Sequence, residues 1–309
     1  MQRVASWLLF PLILGGAVAF TIALMPSTGP AVAVAITQAL AVFVMTAVEI
    51  LHPYRREWAR PRGDLGTDIL HAVFSGLGMT RLTDIAVRAL GISVAGFLSA
   101  SVGASLWPTA WPLVAQLAIA LVVAELPQYW LHRLQHERDS LWRFHAVHHS
   151  APRLYWLNAA RFHPVDIGLL YFVGYVPLVV LGCPEEVIAL VALFDAVFGM
   201  LQHCNADLRL GPLNWIFSAA EPHRWHHSKT MDEANTNYGS NLIVWDLAFG
   251  TFFLPKDREP PAEIGIAALP DFPQGYLAHL AAPFRWRRLH EEARLASSGA
   301  LAAKRPAHG

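Results

Sequence analysis

The stretch that decides the fold lies at the start of the chain: WLLFPLILGGAVAFTIALM (Trp7–Met25), PSTGP (Pro26–Pro30) and AVAVAITQALAVFVMTAVEIL (Ala31–Leu51). Each apolar run has about the 20 residues that a helix needs to cross a hydrocarbon core, and the Pro/Gly segment between them reads as a tight turn. The pair is therefore expected to form a transmembrane hairpin. A signal-peptide reading of the first run is set aside, because no small-residue cleavage site precedes a soluble domain and further apolar segments follow.

The rest of the chain carries the same signature. Of 309 residues 54% are hydrophobic and only 15% charged, whereas soluble domains carry about 25% charged residues. Lys plus Arg and Asp plus Glu are equal at 23 each, so no net field recruits nucleic acid or an acidic partner. Cys183 and Cys204 are the only cysteines, too few for a disulfide framework, a zinc ribbon or an iron–sulfur cluster.

Beyond the hairpin, the loop Pro53–Arg62 holds Arg55, Arg56, Arg60 and Arg62 and is assigned to the cytoplasmic side by the positive-inside rule. The stretch from Asp68 to Ala100, with Arg81, Asp84 and Arg88 inside it, is compatible with one tilted span or with a broken, partly interfacial pair. Trp111 to Leu131 is a clearer span. It leads back to a segment with Arg133, Arg138, Arg143, Arg153 and Arg161, again cytoplasmic. Asp166–Gly182 and Glu186–Gln202 form another apolar pair, deep or shallow. The tail from Lys256 is expected to rest as a cap at the interface. The expected fold is all-α: a multi-pass transmembrane helical bundle with a cytoplasmic histidine-rich helical cap. Residues 1–110 form an N-terminal transmembrane region, 111–255 a catalytic region and 256–309 a cytoplasmic or interfacial tail, all within one membrane domain.

Histidine is the anomaly, with 15 copies. Eight fall in three clusters: His132 and His136; His145, His148 and His149; His223, His226 and His227. At offsets of three and four, side chains share a helix face, so each cluster is expected to aim its imidazoles at a common point. A given HxxHH frame arises by chance about once in eight thousand positions, and two are present. All three clusters fall at cytoplasmic membrane boundaries. Eight imidazoles exceed the four ligands of a structural zinc, so at least two metal ions are implied. Imidazole suits iron, zinc, copper or nickel.

The segments HRLQHE (His132–Glu137), LWRFHAVHHS (Leu141–Ser150) and PHRWHH (Pro222–His227) resemble the three histidine boxes of the fatty acid hydroxylase and sterol desaturase superfamily. So do Asn237-Tyr238-Gly239, Trp245-Asp246 and Phe249-Gly250-Thr251. The likeness runs over roughly residues 115 to 255, with Gly265 to Phe284 also family-like. It implies a multi-pass membrane enzyme with two non-haem iron ions and O2 as co-substrate, hydroxylating or desaturating the alkyl part of a lipid such as a fatty acyl chain or sterol. It also implies a separate electron donor, a reductase, ferredoxin or cytochrome. By the same resemblance His203, in QHCN, joins the ligands, and His163, in RFHP, is a ligand or a group that orients one. Glu125, two helical turns before His132, matches an acidic position in some relatives and is expected to hydrogen-bond a ligating imidazole or to line a watery cavity. His52, His71, His279, His290 and His308 are assigned no chemistry. Tyr129-Trp130 and Tyr155-Trp156 read as interfacial anchors.

Rival readings are a membrane metallohydrolase, which lacks an HExxH motif and a carboxylate base here, and a metal-transport or haem electron-carrier protein. The crowding of ligands in paired HxxHH motifs speaks against the latter.

Overall fold

A computed structural model of the protein describes residues 2–102 and 106–303, so His308 lies outside it. Among the described residues the chain is helical, with isolated bridges such as Pro53 with Ala206 but no strand. Helices α1 (Gln2–Thr28) and α2 (Pro30–Leu51) form the hairpin. The turn is tighter than Pro26–Pro30. Helix α1 continues through Pro26, and Gly29 alone breaks the run, at φ +79°, a left-handed conformation that glycine adopts without a Cβ penalty. Pro30 then opens α2 with its missing N–H at a position that needs none. Thr21 donates to Thr37 at 2.7 Å across the hairpin.

The stretch left open by the sequence is one uninterrupted helical run: α3 (Leu65–Leu70), a π-helical segment (His71–Met79) and α4 (Thr80–Val102). Within it Arg88 Nε donates to both Asp84 oxygens at 3.0 Å, and Tyr171, on a later helix, donates to the same carboxylate at 3.2 Å. Helix α5 (Leu113–Glu137) runs past Pro127, and α6 (Asp139–His149) follows after the single residue Arg138. Then come α7 (Pro164–Val180), α8 (Glu185–His203), α9 (Ala220–His226), α10 (Met231–Ala234), α11 (Val244–Phe249), α12 (Tyr276–Ala281) and α13 (Trp286–Ala303).

Among the described residues, four helices are long and apolar enough to cross a membrane: Val4–Thr28, Pro30–Leu51, Leu113–Glu137 and Glu185–His203. Helix α7, at 17 residues, is shorter. Helices α1 and α2 pack on α8, while α4 and α5 pack on α7. Phe10, Met45, Leu121, Leu178, Phe194 and Phe198 fill the core between them. The outward faces keep apolar side chains exposed, among them Leu12, Phe43 and Leu82, as lipid-facing helices do. Close approach relies on small residues: a Cβ on Gly91 would lie 2.3 Å from Val179 Cγ1.

Helix α6 and the segments after α8 gather as a cap at the end of the bundle where α5 and α8 finish. Buried Arg153 pairs with Asp64 at 2.7 Å and donates to the Trp58 carbonyl, and Trp58 Nε1 donates to the Ala262 carbonyl. The tail packs through Leu269, Phe272 and Trp286 on Ala146 and Val147 of α6. Burying α6 between the bundle and this tail excludes water from the histidines it carries.

Candidate metal centre

Helix α5 brings His132 and His136, one turn apart, to the cap end of the bundle. Because Arg138 serves both as the C-cap of α5 and as the N-cap of α6, α6 folds straight back and faces His145, His148 and His149 toward them. The last residue of α8 supplies His203, and α9 and its C-cap supply His223, His226 and His227. All nine side chains are buried, from 0% exposure at His226 to 8% at His136.

Their donor nitrogens form two sets, each within 4.8 Å: His132, His136, His145, His149 and His226 in one, and His148, His203, His223 and His227 in the other. This corrects the expectation that each cluster aims at a single point. His145 and His149 stand four apart on α6 and go together, whereas His148, turned about 100° from His149, enters the other set. Helix α9 repeats the division, with His223 and His227 together and His226 crossing over. The second and third clusters thus exchange one imidazole each, which joins the two sets.

The nitrogen positions fit metal ions. His132 Nδ1 donates to the Tyr238 carbonyl (2.7 Å), His226 Nδ1 to the Thr236 carbonyl (2.8 Å) and His203 Nδ1 to the Gly199 carbonyl (2.9 Å). A carbonyl only accepts, so in each neutral ring the proton sits on Nδ1 and Nε2 keeps its lone pair. Those lone pairs converge. His132 Nε2 lies 3.0 Å from His145 Nε2, His203 Nε2 lies 3.2 Å from His148 Nε2 and 3.1 Å from His223 Nε2, and His227 Nε2 lies 3.0 Å from His223 Nε2. The Nε2 atoms of His136, His149 and His226 have no hydrogen-bond partner at all. A metal–nitrogen bond of about 2.0–2.1 Å sets neighbouring donors about 3.0–3.4 Å apart around one ion. Buried nitrogens converging at that spacing, with the lone pairs of His132, His203 and His226 already directed inward, are what a cation satisfies; His148 Nδ1 and His223 Nδ1 have no acceptor, so a metal on Nε2 is what would fix those two tautomers.

Burial, and then the neighbouring imidazoles, hold His148, His149, His223, His226 and His227 well below the ordinary histidine pKa. They stay neutral and ready to ligate. The sign of the consequence follows from linkage. Unfolded histidines accept protons below about pH 6.5, while these native ones refuse them, so acidification favours the unfolded chain. The stability of the metal-free protein is fully present above about pH 6.5 and is expected to fall progressively as the pH drops below it. Thermal unfolding of chelator-treated protein at about pH 7.5 and about pH 5.5 measures it, and an unchanged midpoint would contradict the assignment.

Around the rings, acceptors fix orientation. His145 Nδ1 donates to Asp166 Oδ2 at 2.9 Å, and Gln135 Nε2 donates to Asp166 Oδ1 at 2.5 Å. His136 Nδ1 donates to Asn235 Oδ1 at 3.2 Å. Phe162 stacks on His148, with centroids 4.1 Å apart and an interplanar angle of 14°. The loop that offers the Tyr238 carbonyl is tied down by Asp246, which accepts from the Tyr238 and Gly239 amides at 2.8 Å. Gly239 is required there, because a Cβ would lie 2.2 Å from the Leu242 carbonyl oxygen.

Two candidates sit elsewhere. Glu125 accepts from the Asn241 amide (2.9 Å) and side chain (3.2 Å), bracing the segment after Gly239 rather than an imidazole. The carboxylate that orients an imidazole is Asp166. His163 caps α7: its Nδ1 accepts from the Val165 amide at 3.1 Å and its Nε2 donates to the Leu280 carbonyl at 3.3 Å, so it belongs to neither set. Asp166 was visible in the sequence only as an acid in the first turn of an apolar helix, which reads as a complement to the helix dipole.

Comparison with known proteins gives this geometry its context. The fatty acid hydroxylase family model matches residues 117–251. An ornithine lipid hydroxylase, OlsE, from Rhizobium tropici is 40% identical over 244 residues, covering 79% of this chain and 73% of the relative. Alkylglycerol monooxygenase from Danio rerio is 33% identical over 152 residues, 49% of this chain and 33% of the relative. Methylsterol monooxygenase 1 from Rattus norvegicus is 30% identical over 138 residues, 42% and 44% of the two chains. No solved structure matches. With relatives that are hydroxylases and monooxygenases, the chain is an oxidoreductase of the membrane-lipid class. Within that class it belongs to the fatty acid hydroxylase family.

Proposed function

We propose that the protein holds two iron ions, one in each imidazole set, and uses O2 to hydroxylate an alkyl carbon of a membrane lipid. The observation that carries this reading is the pair of buried, converging Nε2 sets, His132, His136, His145, His149 and His226 beside His148, His203, His223 and His227. When bound, the irons activate O2 and take up the electrons that the reaction consumes, supplied by a separate reductase, ferredoxin or cytochrome. The chain's own groups do the rest. Asp166, Asn235 and the Tyr238, Thr236 and Gly199 carbonyls hold protons on Nδ1 and so keep Nε2 free to ligate. The cap excludes water. Hydroxylation rather than desaturation accords with the relatives' names, and the ornithine lipid hydroxylase at 40% identity makes a polar-headgroup lipid of that kind the first substrate to test. A haem reading fits poorly, since nitrogens 3.0–3.2 Å apart leave no space for a porphyrin between them.

A cytoplasmic site is supported by the arginine-rich loop. Its residues lie at the histidine end of the bundle, where Arg55 accepts Asn205 Nδ2 on its carbonyl and Arg62 donates to the Pro152 carbonyl, and arginines collect on that side. The test is metal analysis with an optical spectrum on detergent-purified protein, followed by turnover with O2 and a donor. About two irons per chain, no haem band and a lipid product heavier by one oxygen are expected; stoichiometric zinc under iron-replete expression would overturn the reading.

A further inference from the structure

A second buried polar cluster lies outside both imidazole sets, at the seam between the π-helical segment and the cap. Its centre is Arg161, at 0% exposure. Arg161 Nε donates to Asp68 Oδ1 at 2.6 Å, and Tyr155 donates to Asp68 Oδ2 at 2.7 Å. Both terminal nitrogens, Nη1 and Nη2, lack any hydrogen-bond partner. A charged fork buried with its end-on face unmet is costly, because it has lost water and gained nothing in return.

Of the two neighbouring imidazoles, His71 has both nitrogens committed, while His279 Nε2 has no hydrogen-bond partner. His71 Nδ1 donates to the Phe162 carbonyl at 3.0 Å, so its Nε2 accepts from His279 Nδ1 at 2.9 Å. Burial, with the Arg161 charge next, pushes the His279 pKa down to about 3, so that ring is neutral and supplies no competing charge. The planar end-on face of a guanidinium matches two oxygens of one carboxylate or phosphate. Asp68 already balances the Arg161 charge, so the fork offers an incoming anion two hydrogen bonds and no net charge, which penalises a dianion more than a monoanion.

The surroundings indicate how such an anion would arrive. The Tyr276 ring of α12 stands 4.8 Å edge-on to His71 and 5.9 Å from Phe74. Outward from this contact, Phe74, Leu77 and Leu277 are exposed, at 56%, 68% and 78%. An apolar rim joining the bundle to the cap suits an acyl chain and not a free ion. On the inner side, Phe162, the next residue after Arg161, stacks on His148 of the four-imidazole set.

We infer that Arg161 anchors the monoanionic headgroup, a carboxylate or phosphodiester, of the lipid that this centre oxidises, entering between the π-helical segment and α12. The inference rests on the lipid reading above, and its test reads binding without turnover.

The experiment uses full-length purified protein without electron donor and three single-chain probes: an N-acyl amino acid, a phosphodiester lysolipid and neutral monoacylglycerol. Wild type is expected to bind one or both anionic probes about tenfold more tightly than the neutral one, a difference in line with a charge-assisted pair. Arg161→Lys keeps a cation near Asp68 and removes the fork; it is expected to lose that preference while keeping its affinity for monoacylglycerol. Asp68→Asn, which keeps an acceptor for Nε and removes the balancing charge, is expected to tighten anionic binding severalfold, so the test survives if the lysine variant fails to fold. Wild-type selectivity in both variants means that water fills the fork and overturns the site. Competition by acetate or inorganic phosphate as strong as that by the anionic lipids would overturn the lipid assignment. Selective binding without any hydroxylation would leave this site standing and remove the proposed reaction instead.

Discussion

His148→Ala is expected to cut bound iron from about two to about one per chain and to lower turnover by more than about a hundredfold, beyond the 10–100-fold typical of losing an outer-shell partner. His148 belongs to the smaller, four-imidazole set, so its loss leaves three donors. It also removes the ring on which Phe162 stacks at 4.1 Å, opening apolar space where a ligand stood. His226→Ala subtracts from the five-donor set and leaves four, so it should retain more metal than His148→Ala while still losing activity, because both sets must be filled for the proposed chemistry. His290 is exposed and packs on Trp286 at 4.9 Å; His290→Ala should change neither metal nor rate. Iron per chain and turnover, measured on all three variants after confirming membrane insertion, decide the matter. Full activity in both box variants would reject the two-set centre.

Much of this architecture could be read in one dimension because it depends on local periodicity. Runs such as Ala31–Leu51 carry their own length criterion, and histidines three and four apart announce a shared helix face. What escaped was set by packing between distant segments. The division of the second cluster, with His145 and His149 in one set and His148 in the other, depends on where α9 docks against α6. Nothing in the local spacing of either cluster specifies that. The stretch from Asp68 to Ala100 resisted assignment because Arg81, Asp84 and Arg88 lowered its hydropathy; their cost is reduced by the Arg88–Asp84 pair and by Tyr171 from α7, a partner 87 positions along the chain. Glu125, expected to hydrogen-bond an imidazole or to line a watery cavity, instead accepts from Asn241, and the carboxylate that meets an imidazole is Asp166, placed there by the same long-range packing.

That role makes Asp166 the site of the second large effect: Asp166→Asn is expected to lower iron affinity or turnover by about 10–100-fold, with the fold intact. The substitution is nearly isosteric, so packing alone predicts little change. Hydrogen bonding predicts otherwise, because Asp166 accepts twice, from His145 Nδ1 and from Gln135 Nε2. Asparagine has one acceptor oxygen and one donor amide and cannot satisfy both donors. If its oxygen faces His145, its amide opposes Gln135 with donor against donor; if it turns, His145 loses its acceptor and the proton that Nδ1 carried is free to move to Nε2. A proton on Nε2 blocks that nitrogen as a ligand, 3.0 Å from His132 Nε2. The pair Asp166→Asn and Gln135→Leu separates these outcomes. Removing the Gln135 donor lets asparagine turn its oxygen to His145, so the double variant should recover much of the iron that Asp166→Asn alone has lost. A merely structural role for Asp166 predicts no such rescue, and a double variant as metal-poor as the single one would show that the carboxylate's charge, rather than its control of the His145 tautomer, is what the centre requires.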